Sequence, residues 1–101
     1  MAIEKNLINN ARALAEKMGH GFYTIEHVLA VEFEHNKTAH KDLMGFLETS
    51  IPLCSPGDIC LPTQGVLRVS KRLASGEKLI DAIMKEGDGA HGPHFIKKHS
   101  L

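Results

Sequence analysis

Neither sign of charge dominates this sequence, in which twelve basic residues stand against twelve acidic ones. A nucleic-acid binder usually needs an excess of lysine and arginine to displace counterions from phosphates, so no nucleic-acid partner is expected. Long apolar runs are also missing, and no stretch approaches the length that spans a bilayer. The N-terminal MAIEKNLINN is polar and lacks the charged-then-apolar layout of a secretory signal, so a cytoplasmic location is expected. Cysteine is scarce: Cys54 and Cys60 both fall in LCSPGDIC, without CxxC spacing. They could close a short disulfide loop or supply half of a metal site. Without a secretory context, two partly buried reduced thiols are the plainer reading. No G-x-x-x-x-G-K-[ST] phosphate loop occurs, so neither ATP hydrolysis nor a nucleotide cofactor is expected. Sustained two-residue alternation is absent as well, which predicts no significant sheet. With 101 residues there is room for one domain and none for a second, catalytic one.

What is present is helical rhythm in an ordinary globular composition, 43% apolar and 24% charged. Ile3, Leu7, Ala11, Leu14 and Met18 recur at spacings of three and four, and Gly19 follows where a left-handed cap belongs. After a short connection, Thr24 suits the cap of a second helix with Ile25, Val28, Leu29 and Phe33 inward. Thr38 is expected to cap a third, carrying Leu43, Met44 and Leu47. From Glu48 to Pro62 the prolines 52, 56 and 62, with Gly57, predict a linker. Thr63 then opens a helix over QGVLRVSKRLA, with Val66, Leu67, Val69 and Leu73 apolar. Ser75 is read as the cap of GEKLIDAIMKE, which Gly87 and Gly89 end. Pro93 suits the first turn of a last short helix.

The chain also repeats itself weakly. An offset of 51 residues sets Thr24 on Ser75, Glu26 on Glu77, Val28-Leu29 on Leu79-Ile80, Phe33 on Met84 and Ala39-His40 on Ala90-His91. Two similar helical units that each carry an apolar face would share one core. The expected fold is therefore all-α: two pseudo-repeated units in a single monomeric domain over 1–101. Repeat one covers about 3–47, the linker 48–62 and repeat two about 63–101.

The run MGHGFYTIEHVLAV resembles the N-terminal repeat of the Clp protein-unfolding ATPases, where a leucine-glycine-histidine connection leads into a helix beginning threonine-glutamate-histidine. IMKEGDGAHGPHFIKKHSL is similar to the later part of that repeat, and PTQGVLRVSKRL to the segment opening the second one. The second half lacks the leucine-glycine-histidine connection, and the sequence has no ATPase module. The resemblance implies a non-catalytic docking domain whose partners are protein adaptors, substrate peptides or Clp protease components. Variants of that role are a decoy that sequesters an adaptor and an accessory subunit packed on the protease ring.

Glu26 and Glu77 are the candidate binding residues. Carboxylates near helix starts compensate the helix dipole, which accounts for both without any ligand. The resemblance adds a second reading, because in some Clp N-terminal domains the matching glutamates contact phosphorylated arginine. A carboxylate can hold a guanidinium while amides at a helix start hold the phosphate. Thr63 matches a threonine accompanying the second of these sites, whereas the first repeat has only Met1 near that place. Seven histidines invite a metal, but His91 and His94 flank a Gly-Pro and the others are scattered, short of a convergent ligand set. His27 is read as structural. No activated cysteine, oxyanion hole or orienting carboxylate is legible, so no catalytic residue, metal or cofactor is assigned.

Overall fold

The computed structural model describes residues 2–54, 59–86 and 91–101, with side chains from Asn6 onward. Helix α1 (Ala2–Lys17) buries Leu7, Ala11 and Ala15, one residue per turn along a single face. It closes at Gly19, whose φ of 76° is costly for any residue with a Cβ. The Gly19 amide donates to the Glu16 carbonyl and the His20 amide to that of Ala15, the paired bonds of a Schellman close.

Helix α2 (Ile25–Glu32) is the most deeply set element, with six consecutive residues from Ile25 to Ala30 buried. Thr24 caps it as the sequence predicts, through a capping box with an unusual partner. The Thr24 hydroxyl accepts the His27 amide, while the His27 ring Nδ1 accepts the Thr24 amide at 2.8 Å. His27 thus fills the place that glutamate or glutamine usually takes.

Helix α3 (Lys37–Ser50) starts one residue before Thr38 and runs past Leu47. Its cap is Asn36, whose side chain accepts the Ala39 amide at 3.1 Å, so the expected cap Thr38 lies inside the first turn. Ala39, Leu43 and Leu47 face the core, and the His40 ring donates to the Ala30 carbonyl, tying α3 to α2.

Helix α4 (Gln64–Ala74) is capped by Thr63 and buries Val66, Val69 and Leu73, as predicted. Leu67, the fourth of its apolar positions, is 48% exposed. Ser75 does not cap the helix that follows. It ends α4, and its hydroxyl donates back to the Lys71 carbonyl. Gly76, with φ 95°, and Glu77 complete a second Schellman close through Leu73 and Arg72. Helix α5 (Leu79–Met84) begins only after Lys78, three residues later than the offset of 51 places it. The reason is the connection: four residues separate Gly19 from the cap of α2, but only Glu77 separates Gly76 from that of α5. Glu77 therefore precedes the helix instead of sitting in its first turn.

Helix α6 (Gly92–His99) carries Pro93 in its first turn, as predicted. Met1, Pro56, Gly57, Gly87, Gly89 and Ala90, which the sequence reading also used, lie outside the described residues. Ile25 is the hub where three helices meet. A Cβ placed on Gly65 of α4 would lie 3.0 Å from its Cδ1, and one on Gly92 of α6 would lie 2.9 Å from its Cγ2. Gly92, with a second contact of 2.8 Å to Ile83 Cγ2, needs the smallest residue for that close approach, and Gly65 leaves little room for a larger one.

The fold is mostly helical, as expected, with one addition. Strand β1 (Phe22–Tyr23) pairs in parallel with β2 (Leu61–Pro62), Phe22 opposite Leu61 and Tyr23 opposite Pro62. Among the described residues no helix is long and apolar enough to cross a membrane.

Candidate docking site

The short sheet organises the most unusual surface of the molecule. Residues 19–23 run down the middle of a three-stretch ribbon. On one side the Gly21 amide donates to the Pro52 carbonyl at 3.1 Å and the Cys54 amide to that of Gly19 at 2.9 Å, an antiparallel pairing. On the other side the amides of Leu61 and Thr63 donate to the carbonyls of Gly21 and Tyr23, in parallel. Each outer stretch contains a proline, Pro52 or Pro62, that has no amide to offer. Those prolines discourage a further strand from adding at either edge.

The ribbon holds large apolar side chains out to solvent. Leu53 is 76% exposed, Ile59 70%, Leu61 53% and Phe22 44%. With Pro52, Cys54 and the bare backbone of Gly21, they line one shallow depression. Leaving these groups in water forfeits burial worth roughly 1.5–3 kcal/mol for each large side chain. Scattered exposed leucines need no explanation, but a contiguous apolar patch marks an interaction surface. Sequence reasoning missed it because Leu53, Ile59 and Leu61 fall in the proline-broken linker, where no helical period assigns a face.

Beyond the patch, both strands lead straight into helices. Tyr23 and Pro62 are opposite each other, and the residues after them, Thr24 and Thr63, cap α2 and α4. Two helix starts therefore leave the ribbon side by side. Glu26 sits in the first turn of α2 and is only 8% exposed. Among the described residues its carboxylate takes part in no hydrogen bond or ion pair.

Of the sequence-predicted binding residues, then, Glu26 and Thr63 fall at the paired helix starts. Glu77 does not join them. It lies beyond the opposite end of α4, an 11-residue helix about 16 Å long, and pairs with the Lys85 ammonium at 2.6 Å. The expected company of Thr63 with Glu77 is thus replaced by that of Thr63 with the α2 start.

A third cluster had no legible signal. Glu86, whose side chain is almost fully buried, accepts from Arg68 Nε at 2.9 Å, Arg68 Nη2 at 2.7 Å and Arg72 Nη1 at 2.6 Å. Arg72 also donates to the Ala82 carbonyl at 3.2 Å. The hydrogen bonds from Arg68, and those from Arg72, hold the Glu86 carboxyl below its ordinary range against the opposing effect of burial. The two arginines sit four apart on one face of α4, but nothing in the sequence pairs them with a glutamate beyond the next helix.

The thiols of Cys54 and Cys60 are free, and burial pushes that of Cys60 up, away from the thiolate that nucleophilic chemistry requires. Among the described residues no three histidine, cysteine, aspartate or glutamate side chains gather as a metal would need. No protein-family model matches the chain, and a search of curated proteins finds no match either.

Proposed function

We propose that this chain is a non-catalytic protein-binding domain that docks a partner on the ribbon patch of Phe22, Leu53, Ile59 and Leu61. The observation that carries the reading is the concentration of exposed apolar side chains on one short, proline-edged ribbon. A partner covers such a patch with apolar side chains of its own. The side-by-side starts of α2 and α4, which follow the two strands directly, supply polar recognition at its border. The sequence resemblance to Clp N-terminal domains makes adaptors, substrate peptides and Clp protease components the partners to try first. The halves 3–47 and 63–101 are then related units of one such domain.

The test is a calorimetric titration of the domain with purified Clp adaptors and Clp protease subunits. Binding in the micromolar range that weakens at least tenfold in Leu53→Asp and in Leu61→Asp is the expected result. Both side chains are exposed, so neither change should disturb folding, and a tenfold loss corresponds to about 1.4 kcal/mol, above the roughly 1 kcal/mol that only a minority of interface residues exceed. A partner that binds both variants as well as the parent would place docking elsewhere and overturn the reading.

A further inference from the structure

A groove lies away from the ribbon, between α3 and α6, and shares no residue with the apolar patch. It is open and encloses about 920 Å³. Its two ends differ in chemistry. At one end Lys37 and Lys41, four apart on α3, face Lys98 from α6. At the other, Phe46 forms the floor, with the His91 ring centroid 4.7 Å away and that of Phe95 at 5.4 Å.

The single acid of the groove does not balance the lysines. Asp42 is already engaged, accepting from Lys98 Nζ and from the His99 ring, each at 2.9 Å. Among the described residues Lys37 and Lys41 make no ion pair, although Glu34 and Glu48 line a smaller depression with them. With Lys98 paired to Asp42, Lys37 and Lys41 leave the groove cationic in a chain whose formal net charge is zero. Positive charge gathered in a cleft focuses the field on an anionic ligand.

We infer that the groove between α3 and α6 binds an extended acidic peptide, its carboxylates against Lys37 and Lys41 and an apolar side chain against Phe46. The dimensions suit such a ligand. From Lys37 to Thr49 the groove follows α3 for about 18 Å, which an extended peptide of five or six residues spans. A nucleic-acid strand fits less well, because its evenly spaced phosphates call for positive charge along the whole groove, whereas here it collects at one end. This site is independent of the ribbon patch, so a peptide bound here leaves that surface free for a protein partner.

Fluorescence anisotropy with a labelled Glu-Glu-Glu-Ser-Leu-Phe hexapeptide tests the inference on the whole chain. The expected result is saturable binding that weakens at least tenfold in Lys37→Glu/Lys41→Glu and by a smaller factor in Lys37→Gln/Lys41→Gln. It should be unchanged in Leu53→Asp and absent for a hexapeptide with lysines in place of the glutamates. Both lysines are exposed, so circular dichroism of the variants should match the parent. Three outcomes would overturn the proposal: no binding at millimolar peptide, binding indifferent to both lysine variants, or displacement by a twelve-nucleotide single strand at lower concentration than by unlabelled peptide.

Discussion

His27 and His20 share one hydrogen bond inside the core, with Nε2 of the first 2.9 Å from Nδ1 of the second. The backbone sets its direction. The Thr24 amide must donate, so His27 Nδ1 accepts and the only proton on that ring sits on Nε2, pointing at His20. Each ring is neutral in this arrangement, and a second proton on His27 would break the capping box of α2. Burial, and then the neighbouring His20, lower the His27 pKa to about 4, and burial lowers that of His20 as well.

Stability should therefore fall on mild acidification. The unfolded His27 ring takes a proton near pH 6.5, the folded one only near 4, so between those values the unfolded state holds more protons and acid favours it. The contribution is fully present above about pH 6.5 and is lost as the pH drops. Urea titrations at pH 7.5 and pH 5 should differ by about 2 kcal/mol from this group, with His20 adding in the same direction. His27→Gln, which keeps a capping-box acceptor, should flatten that dependence. The carboxyls of Glu86 and Asp42, both held low by hydrogen bonds from their cationic partners, lose their contribution only at still lower pH. A profile that is flat from pH 7.5 to 5 would show that the histidine pair is not the neutral relay described above.

Glycine substitutions should separate close packing from chain entropy. A Cβ on Gly92 would sit 2.8 Å from Ile83 Cγ2 and 2.9 Å from Ile25 Cγ2, distances that force α6 or both isoleucines to shift. Gly92→Ala is expected to cost about 1–3 kcal/mol, and Ile25→Val should not recover it, because valine keeps the Cγ2 methyl that the new Cβ would meet. Gly45, inside α3, has nothing within 4 Å of its Cβ position. Gly45→Ala should stabilise by about 0.5–1 kcal/mol through helix propensity alone. Thermal melts of the two single variants moving in the same direction would contradict this packing.

The glycines also show how far the sequence could be read. The end of α1 at Gly19 and the caps Thr24 and Thr63 were legible because the helical period stops or starts at residues suited to those places. Ser75 misled because a serine followed by glycine and glutamate resembles a helix start. The left-handed Gly76 instead closes α4, and the hydroxyl of Ser75 bonds backwards to Lys71. Asn36 and Thr38 are both good caps two residues apart, and only the turn from Phe33 to Asn36 selects the former. Two-residue strands have no alternation to detect, so β1 and β2 were invisible, and with them the exposure of Leu53 and Leu61. The Glu86 cluster depends on the path of the chain between α4 and α5, which no local pattern encodes.

Glu86 should anchor that path energetically. Its carboxylate takes three short bonds from Arg68 and Arg72 while almost wholly removed from solvent, a geometry in which loss of the charge leaves both guanidinium groups poorly matched. Glu86→Gln is expected to destabilise by about 1–3 kcal/mol. Arg68→Ala should cost less than Arg72→Ala, because Arg68 is half exposed and Arg72 alone also bonds the Ala82 carbonyl. A double-mutant cycle between Glu86 and Arg72 that gives no coupling would show the cluster to be ornamental.

Phosphoarginine, the ligand that the Clp resemblance suggests, would distinguish Glu26 from Glu77. A pocket for that side chain needs a carboxylate for the guanidinium and helix-start amides for the phosphate. Thr63 opens α4 beside the start of α2, where Glu26 is buried, while Glu77 lies past the far end of α4 and already holds Lys85. If the domain binds phosphoarginine, Glu26→Gln should weaken it at least tenfold, in keeping with the roughly 1.5–3 kcal/mol of a lost charge-assisted bond. Glu77→Ala should leave the affinity unchanged and cost at most about 1 kcal/mol of stability from the surface pair with Lys85. Titration calorimetry with free phosphoarginine compares the three proteins directly. No heat at millimolar ligand would return Glu26 to a dipole-compensating role at the start of α2. A larger loss in Glu77→Ala than in Glu26→Gln would mean that phosphoarginine binds at the other end of α4, against the geometry described above.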